Sequence, residues 1–144
     1  MTISYVRTLA GVAAVAAAMG LATASQAHHS FATEFDSKKP VKVEGVVTKA
    51  RIMNPHSWLY LDVKGPDGTV TNWGFEFGTP LSLERKGFTK DDVKIGTAVK
   101  VDGYRAKNGG PFGYSTVVTL ADGRKVQIGS APDAPETATT AGGR

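Results

Sequence analysis

Apolar and polar side chains alternate along most of the stretch between Val41 and Ile128, with apolar residues falling at every second position. That is the period of a half-buried β-strand. Val41 to Met53 carries Val41 and Val43, then Gly45, then Val46, Thr48, Ala50 and Ile52, so the inward phase slips by one at Gly45. A glycine at such a slip predicts a bulge that bends a long first strand. Ser57 to Lys64 is a second strand, with Leu59, Leu61 and Val63 on one face and Trp58, Tyr60 and Asp62 on the other. Gly65-Pro66-Asp67-Gly68 is a turn, so the second strand forms a hairpin with a third, Val70 to Phe77. On that third strand Trp73, Phe75 and Phe77 alternate with Asn72, Gly74 and Glu76.

The period then changes. Thr79 is placed to cap a helix, Pro80 to open it and Gly87 to stop it, which predicts about two turns. A fourth strand runs from Ala98 to Arg105 with Val99 and Val101 inward, and a fifth from Tyr114 to Leu120 after Gly109-Gly110-Pro111. Ala121-Asp122-Gly123 turns into a short final strand, Lys125 to Ile128. The order of elements predicts an all-β protein: a small OB-like Greek-key barrel of five to six strands, with one short helix between strands three and four. An open antiparallel sandwich is the alternative, and the helix position favours the barrel.

The first 27 residues carry no such alternation. Met1 to Arg7 ends in one positive charge, Thr8 to Ala24 is small and apolar without charge, and Ser25-Gln26-Ala27 offers small residues at −3 and −1. This is the layout of a secretory signal peptide. The apolar run is Ala-rich and barely long enough to span a bilayer, so cleavage is expected to leave no stable membrane anchor. Cleavage after Ala27 makes His28 the first residue of a periplasmic or secreted protein; cleavage after Ala24 is also compatible with the residues there. The expected organisation is a signal peptide over 1–27, one OB-like β domain over 28–129 and a disordered tail over 130–144, rich in Ala, Thr, Pro and Gly.

Composition narrows the function. Loss of residues 1–27 removes one arginine and no acid, leaving 16 basic and 13 acidic residues, a net of about +3. The charges are interspersed, which suits solubility better than a polyanion, and no nucleic-acid partner is expected. There is no cysteine, so neither a disulfide nor a thiolate site is available and the core alone must hold the fold. One domain of this size can do so.

Several motifs together resemble a family of small exported bacterial proteins of unknown function: His28-His29-Ser30-Phe31, Glu34-Phe35-Asp36, Asn54-Pro55-His56-Ser57-Trp58, Thr71-Asn72-Trp73, Arg105-Ala106-Lys107-Asn108-Gly109 and Ala121-Asp122-Gly123-Arg124-Lys125. The histidine pair with Asn-Pro-His-x-Trp is the specific part of that signature. The resemblance implies location and fold and brings no activity with it.

Candidate chemistry therefore rests on the three histidines, His28, His29 and His56. An N-terminal His28 offers an α-amine and an imidazole to one metal ion. His56 follows Pro55, which fixes its own φ and restricts Asn54, and such a corner aims side chains rigidly. If the segment before strand one runs beside that corner, the three imidazoles converge. A nitrogen-rich set suits Cu, Zn or Ni. Copper comes first, because the divalent ion tops the affinity order, an amine–imidazole chelate suits it, and an exported protein meets it outside the cytoplasm. The set is like that of histidine-brace proteins in ligand type and position. Zinc needs a fourth ligand or water, for which Glu34, Asp36 and Glu76 are candidates. The plain alternative is a solvated pair in a loose terminus and a His56 bonded within its own turn.

A second class of function comes from the aromatics. Trp58, Tyr60, Trp73 and Phe75 lie on the hairpin that OB folds use for oligomers, and stacked rings can hold a sugar or a peptide. Ordinary strand content explains aromatics equally simply. An enzyme has least support, since the chain has no Gly-x-Ser-x-Gly, no His-Glu-x-x-His and no phosphate loop. Asp62 and Glu76 form a carboxylate pair only if the hairpin register places them together. The expectation is a binding or carrier protein whose partner is a metal ion or a small periplasmic ligand.

Overall fold

The computed structural model describes residues 30–135. A one-turn helix α1 (Phe31–Glu34) leads into β1 (Phe35–Arg51), β2 (Ser57–Lys64) and β3 (Val70–Phe77). A helix α2 (Pro80–Arg85) and a 3-10 turn (Lys90–Val93) precede β4 (Ala98–Ala106), β5 (Phe112–Thr119) and β6 (Lys125–Gln127). The six strands form one sheet in the order β3-β2-β1-β4-β5-β6. A further parallel pairing, Gly74 to Glu76 of β3 against Phe112 to Tyr114 of β5, closes the hydrogen bonding of five strands into a ring, with β6 outside it as an extra edge. Among the described residues no helix is long and apolar enough to cross a membrane.

Ring closure follows from the length and curvature of β1. Its residues 35–46 pair with β4 and its residues 46–51 with β2, so one 17-residue strand serves two partners. The bulge expected at Gly45 lies instead at Thr48, where the β1–β2 register shifts between Val47 and Lys49. Val41, Val43 and Val47 therefore share the inward phase, and Val46, expected inside, is 44% exposed. Gly45 has a different role. A Cβ there would lie 2.7 Å from the Asp62 carbonyl oxygen, so the glycine permits β2 to approach where β1 passes from one partner to the other. The strand also begins six residues before Val41, through Lys38, Lys39 and Pro40, where no apolar alternation marks it.

Inside the ring, Val47, Leu59, Leu61, Phe75, Phe77, Val101 and Val118 are buried, each contributing one face of its strand. Leu59 pairs with Phe75 and Leu61 with Trp73, the register set by the Gly65–Thr69 turn. The end beside α2 is covered by Leu83, Phe88 and Val93, all buried in the same core. Thr79 caps α2 as expected, its hydroxyl accepting from the Ser82 amide at 3.3 Å, and Gly87 ends the turn at φ 71°. Replacing Thr79 with alanine leaves that amide without its side-chain acceptor. Stability is expected to fall by about 1 kcal/mol, read from the urea midpoint at unchanged slope.

A second apolar cluster sits on the outer surface of the ring. Phe31 and Phe35 pack there with Tyr104, Ala106 and Tyr114, flanked by Phe112, Ala131 and Ala134. Phe31 meets both Tyr104 and Tyr114 edge-on, each with ring centroids 5.4 Å apart, a favoured aromatic geometry. Residues 130–135, the start of the expected tail, thus contact the domain; residues 136–144 lie outside the described residues.

Candidate functional site on the outer face

The outer face of β2, β3, β5 and β4 is a continuous surface because strand registers place alternate residues in rows across it. One row runs Trp58, Glu76, Tyr114, Tyr104; the next contains Tyr60, Gly74 and Phe112. Gly74 is bare enough for Phe112 and Tyr60 to close over it, both within 3.3 Å of where its Cβ would stand. Trp58 and Phe112 meet with centroids 5.2 Å apart.

His56 reaches this face from the corner between β1 and β2. The Asn54–Pro55 peptide there is cis. The corner is held by Met53 N–H donating to Ser57 Oγ at 3.4 Å and Ser57 N–H donating to the Gly78 carbonyl at 3.2 Å. His56 Nδ1 lies 3.0 Å from Glu76 Oε1, and the Glu76 side chain is only 10% exposed. His56 Nδ1 is thus placed to donate to the Glu76 carboxylate. An outer carboxylate that fixes ring orientation and tautomer is the usual support of a metal-binding histidine.

Tyr114 adjoins Glu76 in the sheet and is buried. Burial pushes its phenol above the ordinary range, and the charges of Glu76 and Asp133 act in the same direction. Its hydroxyl oxygen accepts two backbone N–H groups, from Ser130 at 2.7 Å and Ala131 at 2.6 Å. The phenol is thus neutral and anchored.

The sequence-derived candidates are distributed as follows. His56 is on the outer face with Glu76, whereas His28 and His29 lie outside the described residues. No group of three or more histidine, aspartate or glutamate side chains spaced for a metal ion occurs among the described residues. Asp36, one candidate fourth ligand, instead accepts from Lys38 N–H and pairs with Lys39.

The four hairpin aromatics do not make one platform. Trp58 and Tyr60 face outward, while Phe75 is fully buried in the core and Trp73 stacks on it at 5.7 Å. Antiparallel register is the reason: Phe75 stands opposite Leu59 and shares its face, and Glu76 stands opposite Trp58. Asp62 pairs with Asn72 rather than Glu76, so no carboxylate pair forms between Asp62 and Glu76.

Three outer-face residues were missed from the sequence. Phe112 and Tyr114 adjoin Trp58 and Glu76 only through the β3–β5 pairing, and Phe31 reaches Tyr114 through the folding back of α1.

A sheet of five strands closed into a ring by the β3–β5 pairing, with a histidine–carboxylate pair on its aromatic outer face, defines the class: a small all-β domain. The chain belongs to DUF6152, a family of unknown function, whose profile matches residues 15–115. No curated protein and no solved structure matches it.

Proposed function

We propose that the protein is an exported metal-binding or carrier protein, with copper as its preferred ion. In this reading His56 supplies one imidazole through Nε2, His28 supplies an α-amine and an imidazole, and His29 is a third imidazole or a bystander. The five-strand ring with parallel β3–β5 closure supports reading the scaffold as OB-like. One observation carries the proposal: the His56–Glu76 pair stands on the same face, and in the same row, as the residue on which Phe31 is seated.

Distance supports it. Tyr114 and Glu76 are neighbours on adjacent strands, which run about 4.8 Å apart. His28 precedes Phe31 by three residues, a reach of up to about 11 Å of extended chain. That reach is what the proposal relies on to bring an N-terminal histidine toward His56. Nitrogen donors with an outer carboxylate, and no thiolate, favour a divalent ion over Cu(I). Zinc at the same place would draw a carboxylate or water into its fourth position.

The test is intact mass and Cu(II) titration on protein purified from the periplasm. The expected result is a chain beginning at His28 that takes up about one Cu(II), with strong weakening in His28→Ala. Absence of Cu(II) and Zn(II) binding by a chain verified to begin at His28 would sink the proposal. Peroxide consumption by copper-loaded protein, matched against His28→Ala, separates carriage from oxygen chemistry.

A second reading has its own observation. Trp58, Tyr60 and Phe112 share the outer face, and Lys49 Nζ lies 5.6 Å from the Tyr60 ring centroid. This surface suits stacking against a sugar ring or a peptide side chain. Trp58→Ala is expected to abolish glycan binding if that reading holds, and to leave Cu(II) stoichiometry intact if the metal reading holds.

A further inference from the structure

We infer that the outer face of β1, β2, β3 and β5 binds a carboxylated saccharide, whose rings stack on Trp58, Tyr60 and Phe112 and whose carboxylates meet Lys49 and Arg51. The inference rests on the aromatic reading above and adds to it the charge of the ligand and the residues that select it.

Strand register builds the site. Arg51 of β1 stands opposite Trp58 of β2, and Trp58 opposite Glu76 of β3. Two positions along β2, Lys49 stands opposite Tyr60, Tyr60 opposite Gly74, and Gly74 opposite Phe112 of β5. Directly opposed residues share a face, so each row carries a cation at its β1 end, beside an aromatic ring. The bulge at Thr48 is what turns these cations outward. Regular alternation from the buried Val47 would send Lys49 and Arg51 into the core; the extra residue sends Ala50 and Ile52 there instead. Re-aiming a side chain is a known use of a bulge. Gly74 then joins the rows. Without a Cβ it lets Tyr60 and Phe112 both close over it, and Phe112 also lies 5.2 Å from Trp58 between centroids. The three rings, each half-buried, form one adjoining apolar surface.

Charge selects the ligand. Lys39, Lys42, Lys94, Lys100 and Arg124 each pair with a carboxylate, whereas Lys49 and Arg51 form no ion pair among the described residues. Both are exposed, and Lys49 Nζ lies 5.6 Å from the Tyr60 centroid, so its charge is held against the rings. Arginine grips a carboxylate with two parallel bonds and lysine adds a point charge. A pyranose presents an apolar C–H face to an aromatic ring and keeps its hydroxyls at the rim. Other polyanions fit this face less well. Asp62 and Glu76 share it, and their carboxylates repel a phosphate backbone drawn across the rows. An extended peptide adds to a free strand edge. β2 offers none here, since it is paired with β1 on one side and β3 on the other.

The experiment titrates the purified chain, without added metal, with trigalacturonate and with its methyl ester, which keeps the sugar rings and removes the charge. Calorimetry gives the affinity, tryptophan fluorescence reports the rings, and near-ultraviolet circular dichroism verifies the fold of each variant. The acid is expected to bind at least about tenfold more tightly than the ester, with the gap closing as salt is raised. Lys49→Gln combined with Arg51→Gln is expected to bring the acid down to the affinity of the ester. Lys125→Gln removes an exposed charge from β6, outside the ring, and leaves the gap intact. Trp58→Ala abolishes binding of both ligands.

Equal affinity for acid and ester overturns the inference and leaves the aromatic reading standing. An unchanged gap in the double variant does the same. Binding of neither ligand overturns both. Tighter binding of oligothymidine or of triglutamate than of trigalacturonate also overturns it, in favour of a nucleic acid or a peptide respectively.

Discussion

His56→Ala is expected to weaken Cu(II) binding by at least about 100-fold, about 2.7 kcal/mol, while the ring stays folded. The imidazole is the one proposed ligand that rides on the rigid corner, and its Nδ1 is committed to Glu76 at 3.0 Å. Truncation removes the donor and also withdraws a hydrogen bond from a carboxylate that is 10% exposed, a further cost of about 1–3 kcal/mol to stability. Binding and folding separate in the companion variant Glu76→Gln. The amide keeps an oxygen to accept from Nδ1 and loses only the charge. Loss of an outer partner of this kind typically costs about 10- to 100-fold in affinity. The measurement is a competition titration against a chelator of known strength, with near-ultraviolet circular dichroism to verify the fold. If His56→Ala holds copper as tightly as wild type, the site is elsewhere.

Phe75→Ala gives the largest loss of stability expected, about 3–5 kcal/mol. Phe75 has no exposed surface, stacks on Trp73 and lies where a Cβ on Gly113 would stand 2.9 Å from its ring. The ring is thus the filler at the place where β3 and β5 close the sheet, with Phe75 registered against Gly113. Truncation leaves a cavity that backbone on two strands cannot collapse into. For a domain of about 100 residues the melting temperature is expected to drop by more than about 12 °C. Trp58→Ala, on the half-buried outer face, is expected to cost far less. A small effect of Phe75→Ala would mean that β3–β5 closure does not depend on this ring.

The two variants also show why the aromatics had to be divided by the fold. Alternation within the hairpin assigns each strand two faces, and it placed Leu59 and Leu61 together and opposite to Trp58 and Tyr60. It does not say which residue of β3 stands opposite which residue of β2. That depends on the turn, where Gly68 at φ 84° and Asp67 accepting from Thr69 fix a register that pairs Trp58 with Glu76. The bulge shows the same limit. The glycine in β1 looked like the slip in phase, yet the extra residue is Thr48, because Gly45 was needed for close approach of the Asp62 carbonyl. A glycine signals that backbone must be accommodated; the partner decides how.

By itself the sequence determined the number and order of the strands after β1, the capped helix between β3 and β4, and the rigid corner that carries His56, since each is written in short-range periodicity, capping residues and proline. The tertiary structure alone decided the parallel contact of β3 with β5, the meeting of His56 with Glu76, and the capping of α1 by Asp133. Those contacts join residues 20 to 102 positions apart, and no local preference encodes a partner at that distance. They arise when a long bent strand closes the sheet on itself and buries two apolar clusters, one inside the ring and one upon it.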